Sequence, residues 1–435
     1  MARIIVVTSP FLGHVNVDVL FVKTLVKRGN EVVWYTGKRF KKIVEDTGAT
    51  HVGMEKFDFN DRDLESSFPG RQNLEGLERL EHDMKHLFMD GMFPYHEEIQ
   101  NILATFPADV IAFDHSFFGA FPMILSGEPK GLKFVTTSFI PLTLTGPDVP
   151  PFGLGLPVPS TEEERARNIE LHNHFQNEVF IGVQNHFNSL LVEHDYPQLE
   201  GYWADACILL SDLFLQFTIQ SFEYPRANLP EHVHFVGTIM EKGQEVDVAE
   251  LPDWWNELEG ERPVVHVTQG TVDVSDFKRL IQPTIEALAD KDVLVVVATG
   301  ERSMSNLDMV LPDNVRVGEF IPYSQFLPHV DVMVTNAGNG GVQQALLNGV
   351  PLVAAGDTEE KPEVAQRVAW SGVGINLGTG APTVEQIREA VEEVLDNPKY
   401  LKRAKAFQEE YAQLDGANEA ARLIEELASD KGNKR

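Results

Sequence analysis

A single cysteine, Cys207, among 435 residues excludes an intramolecular disulfide framework and fits a reducing compartment. No apolar run approaches about 20 residues, so no segment reads as a membrane span. The longest, CILLSDLFLQF, is interrupted by Asp212. At the start of the chain the apolar run IIVV is too short for a signal peptide and reads as a strand, which gives the expectation of a cytoplasmic protein. Positive charge is also scarce: 36 Lys and Arg stand against 66 Asp and Glu, for a formal net charge of −30. Such a surface repels nucleic acid and anionic membrane, and any anionic substrate then depends on a local site that overcomes the general field. Three motifs are missing: a G-x-G-x-x-G after the first strand, a Walker phosphate loop and a G-x-S-x-G elbow. No dinucleotide cofactor is expected, and no cofactor of any other kind. His82 and His86 in HDMKH have the i, i+4 spacing of a zinc pair but lack the zincin glutamate; they read as exposed polar residues, and no metal is expected. His172, His174, His186 and His194 are expected to face water on a long polar helix.

What is present is a globular composition, 43% apolar with 25 prolines and 33 glycines. The length suits two domains of roughly 200 residues. Ile4 to Val7 form a short β-branched run, and helical spacing of Val15, Val19, Val22, Leu25 and Val26 follows up to Gly29. EVVWYT, RFKKIVEDTG and THVGM continue the alternation. This β-α-β-α-β order predicts a parallel sheet with helices on both faces. Strands are expected at ADVIAFD, GLKFVTT, DLFLQFT and HVHFVGT, and one long helix at 161–191. The pattern restarts at PVVHVTQGT and runs through DVLVVVATG, NVRVGEF, DVMVTNAG, PLVAAG and VGINL. The expected organisation is a first Rossmann-like domain at 1–240, an acidic linker at 241–262, a second Rossmann-like domain at 263–398 and a closing helix at 399–435 that packs back on the first domain. Ligands of such folds bind in the crevice outside the carboxyl ends of the strands.

His14, in SPFLGHVN, stands where the first strand gives way to the first helix. The positive end of that helix disfavours an imidazolium, and a neutral ring is what a general base requires. The plain alternative is a turn residue that satisfies backbone groups. Asp114 ends the strand ADVIAFD, so its carboxylate emerges at the same sheet edge, where it would orient the imidazole and stabilise its protonated form. Its plain alternative is an N-cap for the helix SFFGAFPMIL.

The densest signal is VTNAGNGGVQQALLNGVPLVAAGDTEEKPEVA. A strand ends at Thr335, a glycine-rich turn follows, and a helix begins near Gly340. Free amides at such a helix start bind phosphate. Asn336, Asn339 and Gly341 are placed to line that cradle, and Thr271 in QGT offers a hydroxyl from a second turn of the same kind.

This segment resembles the donor-binding signature of the UDP-glycosyltransferase superfamily, the nucleotide-sugar transferases with two facing Rossmann-like domains (GT-B architecture). GHVN at 13–16, KRGNEV at 27–32, FIPYSQFLPHVD at 320–331 and NGVPLV at 348–353 match in the same order. The resemblance therefore covers nearly the whole chain and is greatest to the bacterial and fungal branch that glycosylates macrolides, flavonoids and sterols. It implies that Phe320 stacks on uracil, that the Ile321 backbone pairs with the base edge, and that Thr271 with Gly338, Asn339, Gly340 and Gly341 holds the diphosphate. Gly13 is grouped with these donor contacts. Asn336 stands where the best-known members carry a phosphate-binding histidine, and Gln344 where many have a ribose-binding glutamate. Glu360 and Lys361 stand where plant members have an Asp-Gln pair on the sugar; the plain alternative for 359–361 is a solvated helix start. The Pro- and Gly-rich loop at 140–160, with Phe117, Phe118 and Phe139, is the expected acceptor pocket, although the ordinary role of phenylalanine is core packing. The implied activity is inverting transfer of a sugar, glucose first among them, from a UDP-sugar to a hydroxyl of a small lipophilic acceptor. A UDP-sugar epimerase or hydrolase and a non-catalytic binding protein are the alternatives. The expected state is a monomer or weak dimer.

Overall fold

The computed structural model describes residues 1–74, 76–239, 251–270, 276–300, 302, 307, 309–319 and 321–430. It contains two wholly parallel sheets. The first comprises β1 (Arg3–Val7), β2 (Glu31–Thr36), β3 (Thr50–Gly53), β4 (Val110–Asp114), β5 (Lys133–Ser138), β6 (Leu213–Gln216) and β7 (Val233–Phe235), in the order β3-β2-β1-β4-β5-β6-β7. The second comprises β8 (Val264–Thr268), β9 (Leu294–Ala298), β10 (Val315–Gly318), β11 (Val332–Thr335), β12 (Leu352–Ala354) and β13 (Gly374–Asn376), in the order β10-β9-β8-β11-β12-β13. These are two Rossmann-like α/β units of the expected class.

Parallel strands covered on both faces need apolar side chains on both faces. In β1, Ile4 and Val6 join one core cluster and Ile5 and Val7 the cluster on the opposite face. In β8, Val264 faces one layer and Val265 and Val267 the other. The run IIVV thus shows no alternation because it has no solvent face.

Several expected elements differ. The single helix over 161–191 is two helices, Glu162–His174 and Ile181–Glu193, joined by a π-helical turn at Phe175–Val179. The closing segment is likewise two helices, Pro398–Ala412 and Gly416–Ser429, and Asp415 caps the second by accepting from the Asn418 amide. Phe407 and Tyr411 of the former lie in a core cluster of the second unit. Ala417, Ala420, Ala421 and Ile424 of the latter pack in the first unit, against the first helix, Leu12–Lys27. The acidic segment expected as a linker lies, in its first part up to residue 250, outside the described residues. Its end, Trp255–Glu259, is a short 3-10 helix whose Leu258 is buried in the second unit.

The histidines expected in water are mostly engaged. His172 is buried and its Nε2 is 3.0 Å from the Val149 carbonyl. His186 pairs with Asp90 at 2.6 Å, and His194 stacks on Phe93 with ring centroids 3.6 Å apart. His174, half-exposed, pairs with Glu178 at 3.2 Å. His82 and His86 each use Nδ1 on a carboxylate, Asp83 at 3.2 Å and Asp90 at 2.8 Å, and neither side chain is fully exposed. The partners of His174, His86 and His82 are local in sequence, but those of His172, His186 and His194 come from other segments that helical periodicity does not show.

Candidate active site

In each sheet the strand order reverses at one point, between β1 and β4 and between β8 and β11. Neighbouring connections there leave toward opposite faces and open a crevice at the carboxyl ends of the strands. His14 lies in the first turn of the helix Leu12–Lys27, just after β1, and Asp114 is the last residue of β4. Residues one hundred apart in sequence therefore meet. His14 Nδ1 is 3.4 Å from Asp114 Oδ2, with the histidine side chain 16% and the aspartate 2% exposed.

Asp114 is held by more than the imidazole. The Ser9 amide donates to Oδ2 at 2.5 Å, the Ser116 amide to Oδ1 at 2.9 Å, and the Ser116 hydroxyl to Oδ1 at 2.5 Å. Burial opposes the charged form, but His14, His115 and the Ser116 hydrogen bond outweigh it and hold the carboxyl well below the usual carboxylate range. The capping alternative is not what Asp114 does: the helix Phe121–Ser126 begins after Ala120, and Asp114 instead bonds the amide two residues on, as in an Asx-turn. The Ser116 hydroxyl is also 3.4 Å from His14 Nδ1. With Nδ1 facing Asp114, the tautomer assigned from these partners leaves the Nε2 lone pair free. Asp18, one turn beyond His14, is buried too, and burial with the nearby Asp114 charge pushes its carboxyl up.

Aromatic rings surround the imidazole. Phe11 is 5.1 Å from it, Phe139 approaches edge-on at 5.0 Å, and His115 lies nearly parallel at 6.1 Å. Phe11 in turn contacts Phe59 at 5.2 Å and Phe88 at 5.5 Å. Phe88 sits in a π-helical turn, Asp83–Met89, a feature frequent at functional sites. Of the three phenylalanines expected at the acceptor pocket, only Phe139 packs against His14. Phe117 and Phe118 are 1% and 2% exposed; the first packs on Tyr35 and Tyr95 and the second on Phe121 and Phe187. A strand-to-helix turn sends successive side chains into different layers, and FF in sequence does not say which.

On the second unit, the helix Asn339–Leu347 starts at β11's switch point, capped by Gly338 with no side-chain cap bond. Amides in the first turn of a helix are donors that suit an anion. The Glu360 carboxylate approaches the Asn339 amide at 3.5 Å. Asn336 braces the turns: its Nδ2 donates to the Gln269 carbonyl at 2.5 Å and its Oδ1 accepts from the Gly338 amide at 3.3 Å. Ala337 between them has φ +63° and Glu359 has φ +54°. These are two of the three non-glycine residues in the left-handed region among those described, and such strain gathers at functional turns. Gly340 is exposed, and a Cβ at Gly341 would touch Met333 at 3.5 Å. Gly13, in the opposite unit, has open space around it. Gln344 carries no side-chain hydrogen bond among the described residues, whereas Gln343 is buried against Thr218 and Tyr411. Ile321 is 4% exposed. Lys361 is not solvated: it is 5% exposed, pairs with Glu359 and bonds the Thr358 hydroxyl at 3.2 Å. Thr271 and Phe320 lie outside the described residues.

Hydrogen bonds and ion pairs join the units across the crevice. Asn339 Nδ2 donates to the Phe139 carbonyl, so the residue that packs against His14 also touches the phosphate turn. Deeper, Arg367 NH2 is 2.5 Å from Glu223 and its NH1 is 3.0 Å from Glu363, all three buried. Glu363 accepts from the Gly153 and Gly155 amides at 3.0 and 2.9 Å, which ties the 140–160 loop to the helix Lys361–Ser371. A cavity of about 880 Å³ opens beside β2 and β3, with Glu98, Asn101 and Phe106 in its wall; it holds none of these groups. Among the described residues no cluster of three or more His, Cys, Asp or Glu could hold a metal, and no helix is long and apolar enough to cross a membrane.

Known proteins share this fold and much of this sequence. Residues 282–427 match the family described as erythromycin biosynthesis protein CIII-like, C-terminal domain. The chain is 41% identical over 429 residues to 4'-demethylrebeccamycin synthase of Lentzea aerocolonigenes, covering 98% of this chain and 99% of that one. It is 36% identical to UDP-glycosyltransferase 2 of Phaeomoniella chlamydospora, covering 98% and 96%. Among solved structures, the glycotransferase of kitacinnamycin superposes with a TM-score of 0.73 at 20% identity, covering 98% of this chain and all of that one.

Proposed function

The chain belongs to the UDP-glycosyltransferase superfamily of GT-B architecture, and from that membership we propose that it transfers a sugar, glucose first among candidates, from UDP to a hydroxyl of a small lipophilic acceptor with inversion. The observation that carries the reading is the His14–Asp114 pair facing the glycine-rich start of the helix Asn339–Leu347 across one crevice.

His14 Nε2 takes the proton of the acceptor hydroxyl, and Asp114 stabilises the imidazolium that forms. The freed oxygen attacks the anomeric carbon from the face opposite the UDP oxygen, whose bond to the sugar breaks. Charge develops on the diphosphate, where the amides of the 338–341 turn and the Thr271 hydroxyl receive it. Ile321 and Phe320 take the base, Gln344 the ribose, and Glu360 and Lys361 the sugar hydroxyls. Phe11, Phe59, Phe88 and Phe139 form the apolar wall for the acceptor. Relatives named UDP-glucosyltransferase support glucose. One relative is named for making 4'-demethylrebeccamycin, and one structural neighbour was solved with thymidine diphosphate.

The test is a mass-spectrometric screen of UDP-glucose, UDP-galactose, UDP-N-acetylglucosamine and dTDP-glucose against phenols, macrolides and sterols. A glycoside with inverted anomeric configuration is expected. Sugar isomerisation or hydrolysis at full rate without an acceptor would overturn the transfer reading, as would UDP binding with no turnover across the panel.

A further inference from the structure

His115 is a titratable side chain stacked beside the reacting pair that the mechanism above leaves unused. We propose that it is a substrate-binding residue, its Nε2–H donating a hydrogen bond to a substrate hydroxyl next to the one His14 deprotonates. The inference rests on the transfer reading for what that hydroxyl is, and on geometry for the rest.

The ring is fixed in place. It lies nearly parallel to His14, 21° between planes, and edge-on to Phe139 at 5.4 Å. Its backbone amide bonds the Thr137 carbonyl at 2.9 Å, which extends the pairing of β4 and β5 by one residue. Its two nitrogens differ. Nδ1 is enclosed and has no hydrogen-bond partner among the described residues; Nε2 also has none but is not enclosed. A neutral imidazole carries one N–H and one lone pair. An enclosed, unpaired N–H is rarer and costlier than an enclosed lone pair, so the proton belongs on Nε2, the open edge. Burial lowers the pKa to about 4, with Asp114 opposing and His14 reinforcing the shift. At neutral pH the ring is therefore an uncharged donor, while its neighbour His14 presents an acceptor at Nε2. Donor and acceptor side by side suit a diol or the adjacent hydroxyls of a sugar.

The experiment compares wild type, His115→Phe and His115→Gln, with UDP-glucose and a dihydroxyphenol acceptor. His115→Phe keeps the ring and removes the donor; kcat/KM is expected to fall about 10-fold with UDP affinity unchanged, and His115→Gln to recover part of it. Singly deoxygenated UDP-glucose analogues and a monohydroxyphenol identify the source: the substrate lacking the bonded hydroxyl no longer distinguishes His115→Phe from wild type. Wild-type kcat/KM in His115→Phe would overturn the assignment. If wild type transfers no sugar at all, the transfer reading fails by itself. Nitrogen-15 NMR of the His115 ring then still decides: an Nε2–H tautomer that shifts on adding UDP-glucose or the phenol is expected, and an Nδ1–H tautomer or an unmoved resonance overturns it.

Discussion

His14 Nδ1 and Asp114 Oδ2 stand 3.4 Å apart across the point where the first sheet reverses its strand order. Neither residue is held by its own segment alone. His14 is set by the first turn of a helix, and Asp114 by amides from both β-edge turns. The pair is thus a product of the parallel register of β1 with β4.

Replacing His14 by alanine is expected to lower the transfer rate by about 100- to 10,000-fold, the range for loss of a positioned base. UDP affinity measured by calorimetry should be retained, because the phosphate turn lies on the other unit. Unchanged transfer rates would show that another group removes the proton.

Asp114→Asn is expected to reduce kcat strongly, since an amide cannot stabilise the imidazolium. It also trades an acceptor of two backbone amides for a side chain with one acceptor oxygen, which costs about 1–3 kcal/mol. Denaturant unfolding separates the two effects: a rate loss that exceeds any stability loss marks the catalytic role, and simple unfolding marks a structural one.

Arg367→Met leaves Glu223 and Glu363 buried without their shared cation. Loss of one member of such a buried group costs about 3–5 kcal/mol. The melting temperature should fall by several degrees, and Glu223→Gln in the same background should restore part of the loss.

Acidification is expected to destabilise the fold between pH 6.5 and 4. His266 is fully buried and His115 is partly buried, and burial lowers the pKa of each to about 4. A histidine whose folded pKa lies below its unfolded value binds its proton first in the unfolded chain. Its contribution is therefore complete above about pH 6.5 and is lost as pH falls toward 4. Each accounts for about 2 kcal/mol between pH 7 and pH 5, and urea unfolding at the two pH values measures the sum. The Asp114 contribution disappears only at lower pH, because its folded pKa is depressed.

Gly356→Ala probes the link between the glycine-rich turn at 336–341 and the helix Lys361–Ser371. A Cβ there would stand 2.4 Å from the Asn336 carbonyl oxygen and 2.6 Å from Lys361 Cβ. Separation of the 336 and 361 segments should weaken UDP-glucose binding more than UDP binding; equal effects on both ligands would place Glu360 and Lys361 away from the sugar.

The sequence by itself determined the two parallel α/β units. Continuous apolar runs such as IIVV and VVHVT, alternating with helical spacing, permit no other covered sheet. It also determined the sheet-edge position of His14 and of the glycine-rich turn, because both follow a strand directly. Tertiary structure decided what those positions face. Phe117, Phe118 and Phe139 look alike in sequence, yet two fill the core and one packs on His14, since burial depends on which layer a turn delivers a side chain to. Phe59 and Phe88 reach the site from segments with no shared spacing to those of His14 and Asp114. Asn339 meets the Phe139 carbonyl, and Arg367 meets Glu223, only because two independently wound sheets are apposed. Local chain preferences encode strands and helices, whereas contacts between residues 100 to 200 positions apart are fixed by packing.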